Sequence, residues 1–367
     1  DSAFVGTIHS FAQSLLRERP LPVGLPPVFE LYDAVQGDER FDEEWSSWLD
    51  VELENPEFSA AVINAQRLGL TQPLDKLRDL AEELHVNFDL VERVGALAST
   101  DQVIDLGDIL ESIRVDLQKA FDLRAHCKNT EDKLLIHIES SIRMALGWID
   151  EATSSGSSEE QILALTQLPG FTTIGGRKGD WNPLTSGESS LEEVRDLLKS
   201  ARQTLESGRQ SLGEQTIVPL VNAVLRMVVG YATKRRTEGM LEFQDLLVLS
   251  SELLDTDDEA RKYFQERYTN ILIDEFQDTN MAQYNLATKI AGKHENICVV
   301  GDDAQSIYAF RGANIQNILN FKMDYPQYKL YKLEQNYRST KNIVQTANSL
   351  IKHNEKQIEK IVWTDNK

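Results

Sequence analysis

After Gly239 the chain alternates short apolar runs with segments of helical periodicity, and this alternation restricts the fold more than any other feature of the 367 residues. Apolar runs at 271–274, 297–300 and 328–333 are separated by helix-patterned stretches at 281–292, 314–322 and 340–353. Strands that alternate with helices need crossover connections, so a parallel sheet in an α/β domain is expected. The run from Tyr268 to Ile273 reads as a short buried strand of that sheet. Cys298, inside Ile297-Cys298-Val299-Val300, reads as a buried core thiol. The Phe4-Val5-Gly6 run reads as one more strand of the same sheet, which makes the intervening residues an insertion rather than a leading domain.

The strand ends carry the chemistry. Ile271-Leu272-Ile273 runs into Asp274-Glu275-Phe276-Gln277-Asp278-Thr279-Asn280. In open α/β sheets, chemistry sits just beyond the carboxyl ends of the strands. Two adjacent acids there suit phosphate chemistry: one holds Mg²⁺, directly or through water, and the other orients or deprotonates an attacking water. The next run meets Gly301-Asp302-Asp303-Ala304-Gln305, where Gln305 can hydrogen-bond a phosphate or that water. It continues into Tyr308, Phe310 and Arg311, aromatics interleaved with a cation, which suit stacking on a base and holding its backbone. The third run leads to Glu334-Gln335-Asn336-Tyr337-Arg338-Ser339. Arg338 offers a planar, permanently charged fork for a terminal phosphate, and Tyr337 a face for a nucleobase. Taken singly, each cluster also has an ordinary structural explanation: a solvated strand cap, core aromatics beside a surface ion pair, or a helix start capped by Ser339 or Thr340.

The residues before Gly239 have a different texture. Ser10 reads as the N-cap of a helix from Phe11 to Arg19, and Pro20–Pro27 as an extended connector. From Glu30 to Glu57 there are eleven acids against one base, Arg40, yet Phe41, Trp45, Trp48 and Leu49 recur at helical spacing. Helical periodicity continues at Leu74–Leu84, Ile104–Leu123, Lys133–Ile149 and Leu191–Lys234. Thr153–Glu160 reads as a loop, and the glycine-rich 168–190 as a long loop of mobile composition. Charge follows the same division. Residues 231–367 hold 18 Lys+Arg against 20 Asp+Glu, so the first 230 residues carry 19 of the 21 excess negative charges. A surface that acidic repels a phosphate backbone, which excludes most of this block as a nucleic-acid contact face. Two scattered cysteines, Cys127 and Cys298, give neither a disulfide framework nor a zinc pattern, which fits a reducing cytoplasm. No uninterrupted apolar run of membrane-spanning length is apparent, so no membrane partner is expected.

Together, in this order and spacing, the clusters resemble the UvrD/Rep/PcrA-like superfamily 1 DNA helicases, with kinship to the AddA and RecB recombination helicases around Leu15–Phe29. Ile271–Asn280 is similar to the family's motif II, Val299–Ala313 to motif III and Leu333–Thr340 to motif IV. Gly6–Phe11 resembles its G-T-x-H-S segment, and Leu241–Leu247 its L-x-F-x-D-L-L element. The resemblance implies ATP and Mg²⁺ as cofactors and single-stranded or duplex DNA as partner. It implies that Asp274 holds Mg²⁺, Glu275 activates water, and Gln277 and Asp278 couple the site to its neighbours. It implies that Gln305 contacts the γ-phosphate, Tyr337 stacks on adenine and Arg338 acts as an arginine finger. Thr7, His9, Tyr308, Phe310 and Arg311 would line the DNA, with Phe310 where the family often has Trp.

The implied fold is a RecA-like P-loop NTPase parallel sheet, incomplete, interrupted by a large, mostly α-helical insertion. Residues 1–27 and 239–327 would belong to domain 1A, 28–238 to the 1B insertion, and 328–367 to the start of domain 2A. One departure matters. No G-x-x-x-x-G-K-[ST] phosphate loop occurs in the 367 residues. The expectation is therefore an internal piece of a larger 3′→5′ helicase, inactive alone. The alternative is a non-catalytic nucleic-acid or protein interaction module whose acidic helical block docks a basic protein.

Overall fold

The structure is a computed structural model; it describes residues 3–98, 105–309, 313–354 and 357–367. Phe310 and Arg311, two of the expected DNA contacts, lie outside the described residues. The chain is mostly helical with a few short parallel strands, and divides into two compact units. One comprises residues 1–39 and 232–367, and the other residues 40–231 between them in sequence.

In chain order the elements begin with α1 (Ile8–Glu18), β1 (Glu30–Leu31) and α2 (Ala34–Leu53). There follow α3 (Pro56–Arg67), α4 (Pro73–Val86), α5 (Phe88–Val94), α6 (Leu106–Leu123), α7 (Lys133–His137), α8 (Arg143–Ser155), α9 (Ser158–Gln167) and the 49-residue α10 (Ser190–Glu238). After these come β2 (Met240–Leu241), α11 (Phe243–Thr256), α12 (Asp258–Arg267), β3 (Ile271–Ile273) and α13 (Met281–Ala291). The last are β4 (Ile297–Val299), α14 (Gln316–Asp324) and α15 (Lys341–Ile351).

The unit of residues 40–231 is built from helices around an aliphatic core. Leu110, Ile113 and Leu117 of α6 pack with Ile149 of α8 and with Val194, Leu198 and Leu205 of α10. Burying such side chains contributes about 1.5–3 kcal/mol each, which is how a chain this acidic stays folded. The acids of α2 point to solvent while Phe41 and Trp45 are buried. The expected single helix over Lys133–Ile149 is interrupted by a π turn at Ile138–Ile142. Thr153–Glu160, expected to be a loop, is mostly helix: α8 runs to Ser155 and α9 starts at Ser158. Only Gly156, left-handed at φ 65°, and Ser157 break it. The long loop 168–189 is anchored, against its composition. Phe171 and Trp181 are buried, Asp132 Oδ2 accepts the Arg177 N–H at 3.1 Å, and Arg195 donates to the Gly175 carbonyl at 2.6 Å. Within α10, the most apolar 18-residue window has mean hydropathy 1.4 and is 44% buried, and Leu220, Val224 and Val228 face the interior.

The other unit is layered. Ala12, Leu15 and Leu16 of α1 share a core with Leu246, Leu249 and Leu253 of α11, Phe264 of α12, and Leu286 and Ile290 of α13. Ser10 was expected to cap α1, but Thr7 does so, its Oγ1 accepting the Ser10 N–H at 3.1 Å. The connector 20–27 tightens into a 3-10 turn at Leu21–Val23. β1 pairs with β2 in parallel, Glu30 opposite Met240 and Leu31 opposite Leu241. This pairing puts the point where the chain leaves the unit beside the point where it returns.

The second parallel pair is β3 with β4, in the register Ile271–Ile297, Leu272–Cys298 and Ile273–Val299. Successive side chains alternate faces. Ile273, Phe276, Ala287 and Ile318 form a small core on one face, against α13 and α14. Leu272, 72% exposed, and Cys298 share the other face. The expectation of a buried strand and a buried Cys298 is thus corrected, because the described helices cover one face of this pair only. Two expected strands are also absent among the described residues. Phe4 and Val5 are exposed and irregular. Residues 328–333 form no ladder, and their only nearby strand-like pairing is the Gln335–Trp363 bridge.

Candidate functional site

The crossing from β3 to β4 builds the site. Ile273 O accepts the Val300 N–H at 2.8 Å, and Val300 O accepts the Phe276 N–H at 2.9 Å. Between them Glu275 is left-handed, at φ 51° and ψ 40°. A non-glycine residue there carries about 1 kcal/mol of strain or more. The kink turns Phe276 into the core at 0% exposure and leaves the side chains of Asp274 and Glu275 in solvent. Asp274 Oδ1 accepts the Glu275 N–H at 3.0 Å, which fixes the carboxylate against the turn.

Gln277, buried at 1% exposure, is the hub. Its Nε2 donates to Glu275 Oε2 at 2.8 Å and to Asp278 Oδ2 at 3.2 Å. Its Oε1 accepts the Asp302 N–H at 3.1 Å, and its carbonyl accepts the Ser306 hydroxyl at 3.3 Å. Gly301 makes this approach possible: a Cβ there would lie 2.5 Å from Gln277 Oε1 and 2.9 Å from Ile318 Cδ1. The rest of the acidic stretch locks the turn to its helices. Thr279 O accepts the Asn314 N–H and the Asn317 side-chain amide, each at 3.0 Å, and Asn280 forms a capping box with Gln283 on α13.

Asp302 organises the next turn. Its Oδ1 accepts the Ala304 N–H at 3.0 Å and its Oδ2 accepts Gln305 Nε2 at 2.9 Å. Lys360 forms an ion pair with it. Burial pushes the Asp302 carboxyl up, but the hydrogen bonds from Lys360 and Gln305 outweigh that and leave it below its ordinary value. Gln305 itself is exposed. Asp303 is buried, takes the Ile358 N–H at 2.9 Å and lies 3.6 Å from Lys360.

The remaining expected site residues that the structure describes are Thr7, His9, Tyr308, Tyr337 and Arg338. Thr7 spends its hydroxyl on the helix cap, and His9 lies edge-on to Phe243 at 5.7 Å. Burial pushes the His9 imidazole below its ordinary pKa. Tyr308 is 40% exposed. In the third cluster, Asn336 Oδ1 accepts the N–H groups of Arg338 at 2.9 Å and Ser339 at 2.7 Å, which makes a tight side-chain turn. That turn presents Arg338 and Tyr337 to solvent, with the Tyr337 hydroxyl on Gln335 at 2.7 Å. Thr340 stands at the N-cap of α15 without a side-chain cap bond. The structure therefore joins Asp274, Glu275, Gln277, Asp278 and Gln305 through one hydrogen-bond network. Tyr337 and Arg338 share no hydrogen bond with that network among the described residues. Sequence reading missed Asn317 and Lys360 and gave Asp302 and Asp303, though seen as strand-end acids, no role of their own.

The donor set fits Mg²⁺ shared with phosphate. Asp274 is an exposed carboxylate at a strand end, and Asp278 Oδ1 is buried without a hydrogen-bond partner among the described residues. No group of three or more metal-ligating side chains occurs among those residues. Mg²⁺ can be held by a single carboxylate with water or substrate phosphate in its other positions, and Asp274, exposed at the strand end, is such a carboxylate.

A run of strand-end acids bonded to a second strand-end turn, with a helical unit inserted ahead of them, fits the helicase resemblance, and comparison with known proteins establishes the family. Residues 1–326 match the UvrD/REP helicase N-terminal domain, and the chain belongs to that family. Among named relatives, it is similar to the ATP-dependent DNA helicase PcrA of Staphylococcus epidermidis, 49% identical over 137 residues. It is also similar to PcrA of Staphylococcus aureus, 47% identical over 137 residues. Each match covers 37% of this chain and 19% of the relative.

Proposed function

We propose that this chain is part of an ATP-dependent 3′→5′ DNA helicase or translocase that acts in repair or recombination. ATP hydrolysis would drive its movement on single-stranded DNA. The observation that carries the reading is Gln277, which bonds the Asp274–Glu275 turn to the Asp302–Gln305 turn. In that reading Asp274 holds Mg²⁺, which offsets phosphate charge when bound. Glu275, its carboxylate held by Gln277 Nε2, takes the proton of the attacking water. Gln305, held by Asp302, reports on the γ-phosphate, and Asp278 joins the coupling. Arg338 stabilises the transferring phosphoryl group and Tyr337 stacks on adenine. Thr7, His9, Tyr308, Phe310 and Arg311 follow the DNA strand. Residues 1–27 and 239–327 are then domain 1A on a RecA-like sheet, 28–238 the 1B insertion, and 328–367 the start of 2A. The protein works in the cytoplasm.

The 367 residues hold no G-x-x-x-x-G-K-[ST] loop, so this chain alone should not turn over ATP. DNA-stimulated ATP hydrolysis by the 367-residue chain should stay at background. Turnover that Glu275→Gln abolishes would show the site to be complete as it stands. A second reading, a non-catalytic module, draws on that same missing loop and on the 19 excess negative charges of residues 1–230, which suit a basic protein partner. It requires DNA or protein binding that no nucleotide alters.

A further inference from the structure

The segment 357–366 has no assigned role, yet it touches both sides of the candidate site. On one side Lys360 forms an ion pair with Asp302 and lies 3.6 Å from Asp303, and Asp303 Oδ2 accepts the Ile358 N–H at 2.9 Å. These two acids are the only carboxylates paired with Lys360 among the described residues. On the other side the Ile361 N–H donates to Glu334 Oε1 at 3.0 Å, the Trp363 N–H to Glu334 O at 2.8 Å, and the Asn336 N–H to Trp363 O at 2.7 Å. Asn336 is the residue that forms the Tyr337–Arg338 turn, and Asn366 Nδ2 closes that turn by donating to Tyr337 O at 3.0 Å.

We propose that Lys360 is a positioning residue that joins the Asp302–Gln305 turn to the Tyr337–Arg338 turn through segment 357–366. The chemistry supports a link and not a mere surface pair. Lys360 is largely covered, with 21% side-chain exposure, and it serves the same Asp302 whose other oxygen holds the Gln305 amide. A movement of Asp302 is thus felt by Gln305 on one side and by the backbone leading to Arg338 on the other. A second pin keeps the segment docked without the charge: Ile358 packs against the core of Ile273, Phe276 and Ile318. Loss of Lys360 should therefore loosen the linkage without releasing the segment. The proposal rests on the reading of Gln305 and Arg338 as two groups that face one nucleotide.

Amide hydrogen exchange on the 367-residue chain, without nucleotide or DNA, tests it. In Lys360→Ala, exchange should quicken about tenfold at Ala304 and Gln305 and also at Asn336, Arg338 and Ser339, the opening expected from loss of one charge-assisted hydrogen bond. Lys360→Arg should restore both sets, and Asp302→Asn should loosen both as Lys360→Ala does. If faster exchange is confined to residues 357–366, or appears on one side only, Lys360 is a local pin and the proposal fails. If Lys360→Ala does not fold, Asp302→Asn decides by the same two sets of amides. Because no ATP is present, failure here would remove the linkage and leave the ATP-site reading to the hydrolysis assay.

Discussion

At the scale of single residues, one short turn concentrates most of what is unusual. Glu275 holds a left-handed backbone, Gln277 is a buried amide whose Nε2 holds the carboxylates of its own turn and whose Oε1 accepts from the Asp302 turn, and Gly301 clears its path. Gly301→Ala should therefore destabilise the protein by about 1–3 kcal/mol, as overpacking does, and break the Gln277–Asp302 bond. Urea unfolding together with the Asp302 amide chemical shift checks both. His9 gives a pH prediction. Its folded pKa lies below the ordinary 6.5, so the unfolded chain binds the proton more readily. Its contribution to stability is present above pH 6.5 and is lost as pH falls from there through the folded value. His137 is shifted the same way by burial, so the His9 share is read as the difference between wild type and His9→Gln across that window. A His9 imidazole that titrates at or above the ordinary value in an NMR titration would contradict the shift.

At the scale of elements, the sequence pattern carried the helices well and the strands poorly, for a physical reason. Helix periodicity is local: α13, α14 and α15 lie within a few residues of their expected spans because each needs only its own apolar stripe. Strands exist by pairing. Val5 and Leu333 sit in apolar runs, yet no described neighbour pairs with them in a ladder, and they are 92% and 88% exposed. The short β1–β2 pair went unread for the converse reason, since its partners are some 210 residues apart and Glu30 looked like part of an acidic helix. The chemistry at the ends of β3 and β4 was readable because acids after an apolar run need no partner to be recognised. Lys360 was not, because nothing near it in sequence marks it. The Leu241–Leu247 element also gains a structural account. Asp245 is buried, makes a bidentate pair with Arg235 at 2.8 Å on both arms, and caps α11 through the Glu242 N–H. Two of the three bases at the end of α10, Arg235 and Arg236, are thus used internally, Arg236 pairing with Glu252 at 2.7 Å. Asp245→Ala should cost about 3–5 kcal/mol by leaving a buried guanidinium short of its carboxylate. Thermal or urea unfolding measures this, and a loss under 1 kcal/mol would show that the pair does not anchor the end of α10.

At the scale of the whole molecule, charge and fold divide along the same lines. All but the last residue of the helical unit, 40–231, lie within the acidic first 230 residues, and the network around Gln277 falls in the nearly balanced remainder. On the proposed reading, the two strand-end acids are one half of an ATP site whose phosphate loop these 367 residues lack. The most direct measurement is single-stranded-DNA-stimulated ATP hydrolysis by a longer chain that carries a G-x-x-x-x-G-K-[ST] loop ahead of residue 1. The expected result is turnover that Glu275→Gln lowers by about a hundredfold or more, consistent with loss of the group that activates water. ATP turnover that persists in Glu275→Gln, or DNA binding with no turnover at all, would contradict the assignment of Asp274 and Glu275 to an ATP site.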